Sequence, residues 1–294
     1  MKYAGEREPQ WEKHRMSSGE YLLGEYVLEG HVLSDVGRVR KNNEDNFILL
    51  GAINEDAGNR KTTDVCASYP IGKWNCIAVF DGMGGGERGE EASGIAATEI
   101  LSSMEKLEEY ANHMQLDEAM REGFRRANNA IVQLQEESLV YGTTGTVCCT
   151  DGERFKIYHL GDSRAYLFRD GQLFQLTRDQ TVAQMKTDAG FYNREDPRFE
   201  AEKHQLTEYI GCDWTTENLR PIESEWIEIQ PEDRLVLCSD GLYDMCTDEQ
   251  IAVILKEVSE TDEASDSLVR EALANGGRDN VTCIVARVKT KRYR

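Results

Sequence analysis

Two Asp-Gly pairs, Asp151-Gly152 and Asp170-Gly171, each sit between a pair of apolar, β-rich runs, and no other feature constrains the fold of this chain as much. TTGTVCCT leads into ERFKIYHL across the first pair, and RAYLFR leads into QLFQL across the second. A two-residue Asp-Gly turn joins neighbouring strands antiparallel. Parallel strands would need a long crossover in its place. The middle of the chain therefore reads as a run of hairpins, which argues against a doubly wound parallel sheet.

The flanking segments extend that reading. VLEGHVLSD, DNFILLGA and KWNCIAVFDG are strand-like, and residues 53–72 between them are a polar, irregular connection. Apolar residues at helical spacing predict helices over about 88–110 and 116–137, with Ala92, Ile95, Ala96, Ile100, Met104 and Leu107 on one face of the first. Residues 179–190 predict a short helix, and 191–222 read as an irregular, polar, mobile stretch. WIEIQ and RLVLCSD are strands. TDEQIAVILKEV then opens a helix with Thr247 as N-cap, a second helix follows near 262–275, and VTCIVARVK is the last strand. The order of strands, two helices, strands, two helices and strand implies one α+β domain, with antiparallel sheets carrying paired helices on their faces. Residues 1–24 read as a loose arm and 25–294 as the domain.

Charge narrows the function classes. Against 34 basic side chains stand 54 acidic ones, a net charge of −20, which repels nucleic-acid backbones and anionic lipid surfaces. No apolar run reaches the ~20 residues of a spanning helix, and the first residues lack the apolar core of a signal peptide. The eight cysteines form no zinc-like CxxC pair and read as reduced thiols, so a cytoplasmic location is expected.

Most of the carboxylates belong to solvated helix faces such as EKLEEY. Asp81 in AVFDGMGG, Asp240 in LVLCSDGL and Asp279 in GGRDNVT do not, because each sits at the end of a buried-type strand. A carboxylate there needs a partner, and several converging ones form an oxygen-rich pocket suited to Mg²⁺ or Mn²⁺. Taken singly, Asp81 or Asp240 is as consistent with a packing junction as with a site. In RVRKNNEDNF, Arg40 precedes the acidic pair Glu44-Asp45 and offers a planar fork of donors suited to phosphate oxygens. Arg38 is the weaker candidate, and an isolated Arg near Glu-Asp is ordinarily a surface ion pair.

SDVGRVRKNNED, DGMGGGERGEEAS, GTTGT, HLGDSRAYL, SDGLYD and RDNVT occur in this order over residues 34–282. Together they resemble the metal-dependent serine/threonine phosphatases of type 2C, in their compact bacterial branch. The resemblance implies a four-layer αββα sandwich, two packed antiparallel sheets flanked by helix pairs, with a metal centre at one end. It implies that Asp81 bridges two metal ions, that Gly82 gives a carbonyl to one, and that Asp240 and Asp279 hold the other. Glu44 and Asp45 become outer carboxylates and Arg40 the phosphate clamp, while Asp162 and Asp244 match positions that can hold a weaker third ion. Asp162 also has an ordinary reading, as a partner of Arg164 or a turn cap. The implied activity is hydrolysis of phosphoserine and phosphothreonine in proteins by water activated between two Mn²⁺ or Mg²⁺ ions, without a phosphoenzyme. The implied partners are phosphoproteins and a Ser/Thr kinase counterpart, with no nucleic acid or membrane, and the chain is expected to be a monomer. A silent scaffold of the same fold and a phosphatase of small phosphoesters are the alternatives.

The chain departs from the family pattern in two places. Met83 stands where many eukaryotic relatives carry a histidine, leaving the general acid unassigned; His159 is a candidate that strand alternation can equally place in the core. The flap near 191–222 reads EAEKHQLTEYIG in place of an HPxRN-like stretch. Arg194, Arg198 and Lys203 are its candidates for meeting an acidic phosphopeptide.

Overall fold

The computed structural model describes residues 26–54, 62–70, 74–84, 88–107, 113–135, 141–213 and 219–290. The proposed arm, 1–24, lies outside them. In chain order the elements begin with strands β1 (Tyr26–Asp35), β2 (Asn46–Leu49), β3 (Ala52–Ile53), β4 (Thr63–Pro70), β5 (Asn75–Phe80) and β6 (Gly82–Gly84). Helices α1 (Gly89–Leu107) and α2 (His113–Leu134) follow. The second run of strands is β7 (Tyr141–Thr143), β8 (Gly145–Thr150), β9 (Arg154–Leu160), β10 (Arg164–Arg169) and β11 (Gln172–Gln175). Then come α3 (Val182–Asp188), α4 (Pro197–Glu202), β12 (Ile222–Glu223), β13 (Ile227–Glu228) and β14 (Arg234–Cys238). The chain closes with α5 (Asp240–Tyr243), α6 (Asp248–Glu257), α7 (Thr261–Ala274) and β15 (Val281–Thr290).

β8 pairs with β9 and β10 with β11, all antiparallel; the second hairpin turns on Asp170-Gly171 themselves, whereas the first turns one residue later than expected, on Gly152-Glu153, with Asp151 N donating to Arg154 O at 3.0 Å. Asp170 and Gly171 both take positive φ, as a mirror-image turn between right-twisted strands requires. One sheet runs β11-β10-β14-β15-β1-β4 and the other β12-β9-β8-β5-β2-β3. Strand alternation distributes the apolar residues among three cores. Ile48, Ala78 and Phe80 face α1 and α2, while Phe47, Leu49, Ile77 and Val79 face the other sheet. From that sheet, Leu235, Leu237 and Ile284 point back, and Val236, Cys238 and Val285 turn outward to α6 and α7. Three cores between four layers make the expected αββα sandwich.

Two segments depart from the sequence reading. Residues 63–70, expected to be irregular, form β4 and pair along β1 as an edge strand. Only Val65 and Ala67 of β4 pack against the core, so its apolar signal is weak. The 191–222 stretch, expected to be irregular, holds α4, started by the Asp196 side chain on Arg198 N with Pro197 in the first turn. Further along it, Thr207 N donates to Gln180 O (2.8 Å) and Ile210 N to Thr143 O (2.9 Å).

At the end of the first sheet where Arg169 meets Arg234's strand, Arg169 Nε and Nη2 donate to the two carboxylate oxygens of Asp233 at 2.7 and 2.6 Å, both side chains buried. Removing one partner leaves the other charge without compensation. Asp233→Ala is therefore expected to lower stability by about 3–5 kcal/mol, read as a fall in the urea midpoint.

Candidate metal centre

Antiparallel pairing brings the site together. Cys238 pairs with Cys283, so the end of β14 lies beside the start of β15, and Asp240 and Asp279 flank the same sheet end. Asp81 arrives from the other sheet, at the end of β5. Its backbone is fixed by GTTGT: Thr144 N and Thr143 Oγ1 both donate to Asp81 O at 2.9 Å, and Asp81 N donates to Thr144 Oγ1 at 2.9 Å. Thr144 Oγ1 in turn meets Ser163 Oγ of the GDSR segment at 2.7 Å.

Asn280 holds the loop that carries Arg40 and Glu44. Its Nδ2 donates to Val36 O (2.9 Å) and Asn42 O (2.8 Å), and its Oδ1 accepts from Glu44 N (2.8 Å). Glycine is required where these segments touch. A Cβ at Gly82 would lie 2.4 Å from Glu44 O, and one at Gly241 would lie 1.9 Å from Asn280 O.

The result is a cavity of about 550 Å³ lined by Glu44, Asp81, Asp162, Asp240 and Asp279, with Arg40 and His204 the cationic side chains among its lining. Gly82, Met83 and Thr144 also line it, and Arg38 does not. Arg40 Nη2 donates to Asp279 Oδ2 at 2.6 Å, and that hydrogen bond strengthens the guanidinium's hold on its proton. Burial, and then repulsion from Asp45, Asp240, Asp162 and Asp279, pushes the Asp81 carboxyl well above its usual range. Burial followed by Asp240 does the same to Asp162, and burial followed by Glu90 raises Glu44.

Asp45 lies behind the cavity wall, fully buried. Burial carries it up to about 7, although Ser239 Oγ donates to its Oδ2 at 2.7 Å. Its other oxygen, Oδ1, has no hydrogen-bond partner. Crowded carboxylates facing two cations, with one buried oxygen unsatisfied, are a donor set that fits hard divalent ions.

The structure thus brings Arg40, Glu44, Asp81, Gly82, Asp162, Asp240 and Asp279 to one cavity and sets Asp45 behind it. Asp244 is engaged by the flap instead: Lys203 Nζ reaches its Oδ1 at 2.9 Å and His204 Nε2 its Oδ2 at 3.3 Å. His204 is the residue the sequence reading missed. Its Nδ1 lies 3.2 Å from Asp240 Oδ2, and ligating atoms of His204, Asp162 and Asp240 fall within 4.8 Å of one another. That same contact with Asp240 raises the imidazole's pKa. The signal was the departure at EAEKHQLTEYIG, but only the bridge of Leu206 to Thr181 sets the register that aims His204 at the cavity.

Arg164 pairs with Asp179 at 2.6 Å, so the ordinary reading of Asp162 as its partner does not hold. His159 is buried on Thr146 Oγ1 and Arg178 O, its pKa lowered to about 4 by burial, and it does not line the cavity. Arg194 donates to Gln184 and Arg198 to Asp196, both outside the cavity lining.

Known proteins resemble this chain in sequence and in fold. The family model described as Protein phosphatase 2C matches residues 51–275. Serine/threonine protein phosphatase PstP of Mycobacterium tuberculosis is 34% identical over 265 residues, 89% of this chain and 45% of PstP. The chain thus spans about half the length of that curated relative. Serine/threonine phosphatase stp of Listeria welshimeri is 28% identical over 255 residues, 86% of this chain and 92% of stp. The crystal structure of the PstP catalytic domain in complex with two manganese ions is 33% identical, with a TM-score of 0.67, and covers 90% of this chain and 99% of that one.

The raised carboxyls set a pH dependence. A free aspartate titrates near ~3.9, whereas Asp45 in the fold sits at about 7, with Asp81 and Asp162 also raised. Between those values the folded chain binds more protons than the unfolded one, so its stability falls as pH rises. The urea midpoint of chelator-treated protein is expected to drop from about pH 4 to about pH 7. Mn²⁺ at ~100 times its Kd should restore about 2.7 kcal/mol.

Proposed function

This chain belongs to the protein phosphatase 2C family, and we propose that it hydrolyses phosphoserine and phosphothreonine in proteins with divalent metal ions. The observation that carries this reading is the meeting of five carboxylates and the Arg40 guanidinium around one cavity. Asp81, the Gly82 carbonyl, Asp240 and Asp279 are the residues to hold two ions, Mn²⁺ or Mg²⁺. Such ions supply a water ionised near neutral pH and offset charge on the phosphoryl oxygens. A weaker third ion would be held by Asp162 and Asp240, with His204 as a nitrogen donor and Asp244 behind it.

The remaining roles belong to side chains. Arg40, half-exposed, donates to Asp279 with one nitrogen and keeps further donors for a phosphate in the cavity. Glu44, a carboxylate in the cavity wall, orients the attacking water by accepting its hydrogen bond. Asp45 braces the Ser239 turn from which Asp240 projects. Cysteine-dependent phosphatase chemistry has no nucleophile in the cavity lining, and Cys238 is buried in β14, its thiol pushed up by burial. A silent scaffold is disfavoured because the proposed ligands are all present and converge. The proposed partners are phosphoproteins and a Ser/Thr kinase that shares them. A reducing cytoplasm suits eight cysteines that are all free, and no helix among the described residues is long and apolar enough to cross a membrane.

The test is phosphate release from a phosphothreonine peptide. Wild type should turn over only with Mn²⁺ or Mg²⁺, and Asp240→Asn should abolish turnover. Arg40→Ala should raise KM about 10–100-fold, the worth of a charge-assisted hydrogen bond. Folded, metal-loaded wild type that releases nothing from this peptide or from an aryl phosphate would overturn the reading. Turnover of the aryl phosphate alone would favour small phosphoesters.

His204 generates a separate expectation. His204→Asn should raise the Mn²⁺ concentration needed for half-maximal activity, while the two tightest ions measured by equilibrium dialysis remain.

A further inference from the structure

A second group of ligating side chains lies away from the cavity, on the helix-covered side of the β1–β4 edge. His31 pairs directly with Cys66 across the two strands, and Asp64 is two residues along β4 on the same face. The His31 side chain is 4% exposed and that of Asp64 67%, while Cys66 is the one exposed cysteine of the eight. One ligating atom from each of the three lies within 4.8 Å of the others.

The hydrogen bonds around the imidazole indicate what belongs there. Ser265 Oγ, on α7, donates to the carbonyl oxygens of Thr261 (3.0 Å) and Asp262 (3.1 Å). With its proton on those carbonyls the hydroxyl turns a lone pair to His31 Nδ1, and the tautomer that carries the ring proton there leaves Nε2 as a ligand atom. Nε2 is left with its own lone pair, yet it stands 2.6 Å from Asp64 Oδ1, which is also an acceptor. In that tautomer the two facing acceptors share a cation, a second proton or a metal ion, whereas in the other Nε2 donates directly to Asp64. Cys66 Sγ distinguishes the two, because a thiolate is a metal ligand and a shared proton has no use for it. Burial, and then the charges of Asp262 and Asp64, hold the Cys66 thiol to its proton, so an ion has to displace that proton to bind.

We propose that His31 Nε2, Asp64 and Cys66 Sγ are the protein ligands of a zinc-class divalent ion at this sheet edge. Mixed nitrogen, oxygen and sulfur donors suit Zn²⁺ or Co²⁺ and disfavour Mg²⁺ and Ca²⁺, in contrast to the oxygen-rich catalytic cavity. The Ser265 hydroxyl behind the ring plays the part of the outer hydrogen bond that orients a metal-bound histidine. Coordination sends the Cys66 thiol proton to solvent and leaves the imidazole neutral, protonated on Nδ1. The exposed Asp64 has room to turn and share the ion. The ion would fasten β4, an edge strand, to β1 and so to α7.

The probe is Co²⁺ titrated into the Mn²⁺-loaded full chain. A near-ultraviolet thiolate-to-cobalt absorption band should saturate at one ion per chain, disappear in Cys66→Ser, and be displaced by Zn²⁺. Zn²⁺ counted by equilibrium dialysis should fall by one in Cys66→Ser, whose phosphatase activity should be unchanged. Asp64→Asn should weaken Zn²⁺ binding about tenfold or more. Both positions are exposed, so these variants fold even where a change at buried His31 does not. Zn²⁺ should also slow amide exchange across 63–70 in wild type and not in Cys66→Ser. Absence of the band at excess Co²⁺, its persistence in Cys66→Ser, or an unchanged zinc count would overturn the proposal and leave a proton as the cation between His31 and Asp64.

Discussion

Carboxylates that face one another across a cavity repel, and the rest of this structure is organised to hold them there. Asp81, Asp162, Asp240 and Asp279 would relax apart if they were carried on loose segments. Instead, Asp81 and Asp240 follow directly on strands whose two faces are both packed, Phe80 and Val79 on one and Cys238 and Leu237 on the other. Close packing resists displacement because every movement opens a gap on one side and a clash on the other. The αββα order matters to function for this reason: a sheet covered on one face only would hold its strand ends less firmly.

Neutral polar groups complete the hold without adding charge. Thr144 and Ser163 fix the backbone at Asp81, Ser239 joins Asp45 to Thr282, and Asn280 draws the Val36–Glu44 loop against the start of β15. Arg40 is thereby placed beside Asp279 by Asn280, far from it in the chain, which holds the loop at Val36, Asn42 and Glu44. The guanidinium is free to serve a ligand because it is not needed to anchor the loop.

What could be read from the sequence follows the range of the interactions involved. The hairpins were legible because an Asp-Gly turn is decided by two residues, and Asp81 and Asp240 because a charge directly after an apolar run is a local contradiction. The N-cap of α6, Thr247, was legible for the same reason, and the structure completes it as a capping box with Gln250. β4 was not legible: half of its residues face solvent, and its pairing depends on β1, some thirty positions earlier. His204 was hidden because its relation to Asp240 exists only once Leu206 bridges Thr181 and Ile210 bridges Thr143. Asp244 was placed by motif alone, and the structure gives it to Lys203 and His204. Asn280 lay in a recognised motif, but its three bonds to the 36–44 loop are tertiary and left no trace in local pattern.

The flap's attachment has a consequence for which substitutions the molecule tolerates. Residues 191–208 are exposed or half-buried and rest on the body through the Leu206 bridge and a few backbone hydrogen bonds, whereas Ile210 and Cys212 are buried and the aspartates stand on strands sealed from both sides. Substitutions in residues 191–208 therefore carry little penalty to the sandwich, while one at Ile210 opens the core beneath α1 and α2. His204 stands in that lightly held stretch, a single side chain by which it reaches the carboxylates of the cavity.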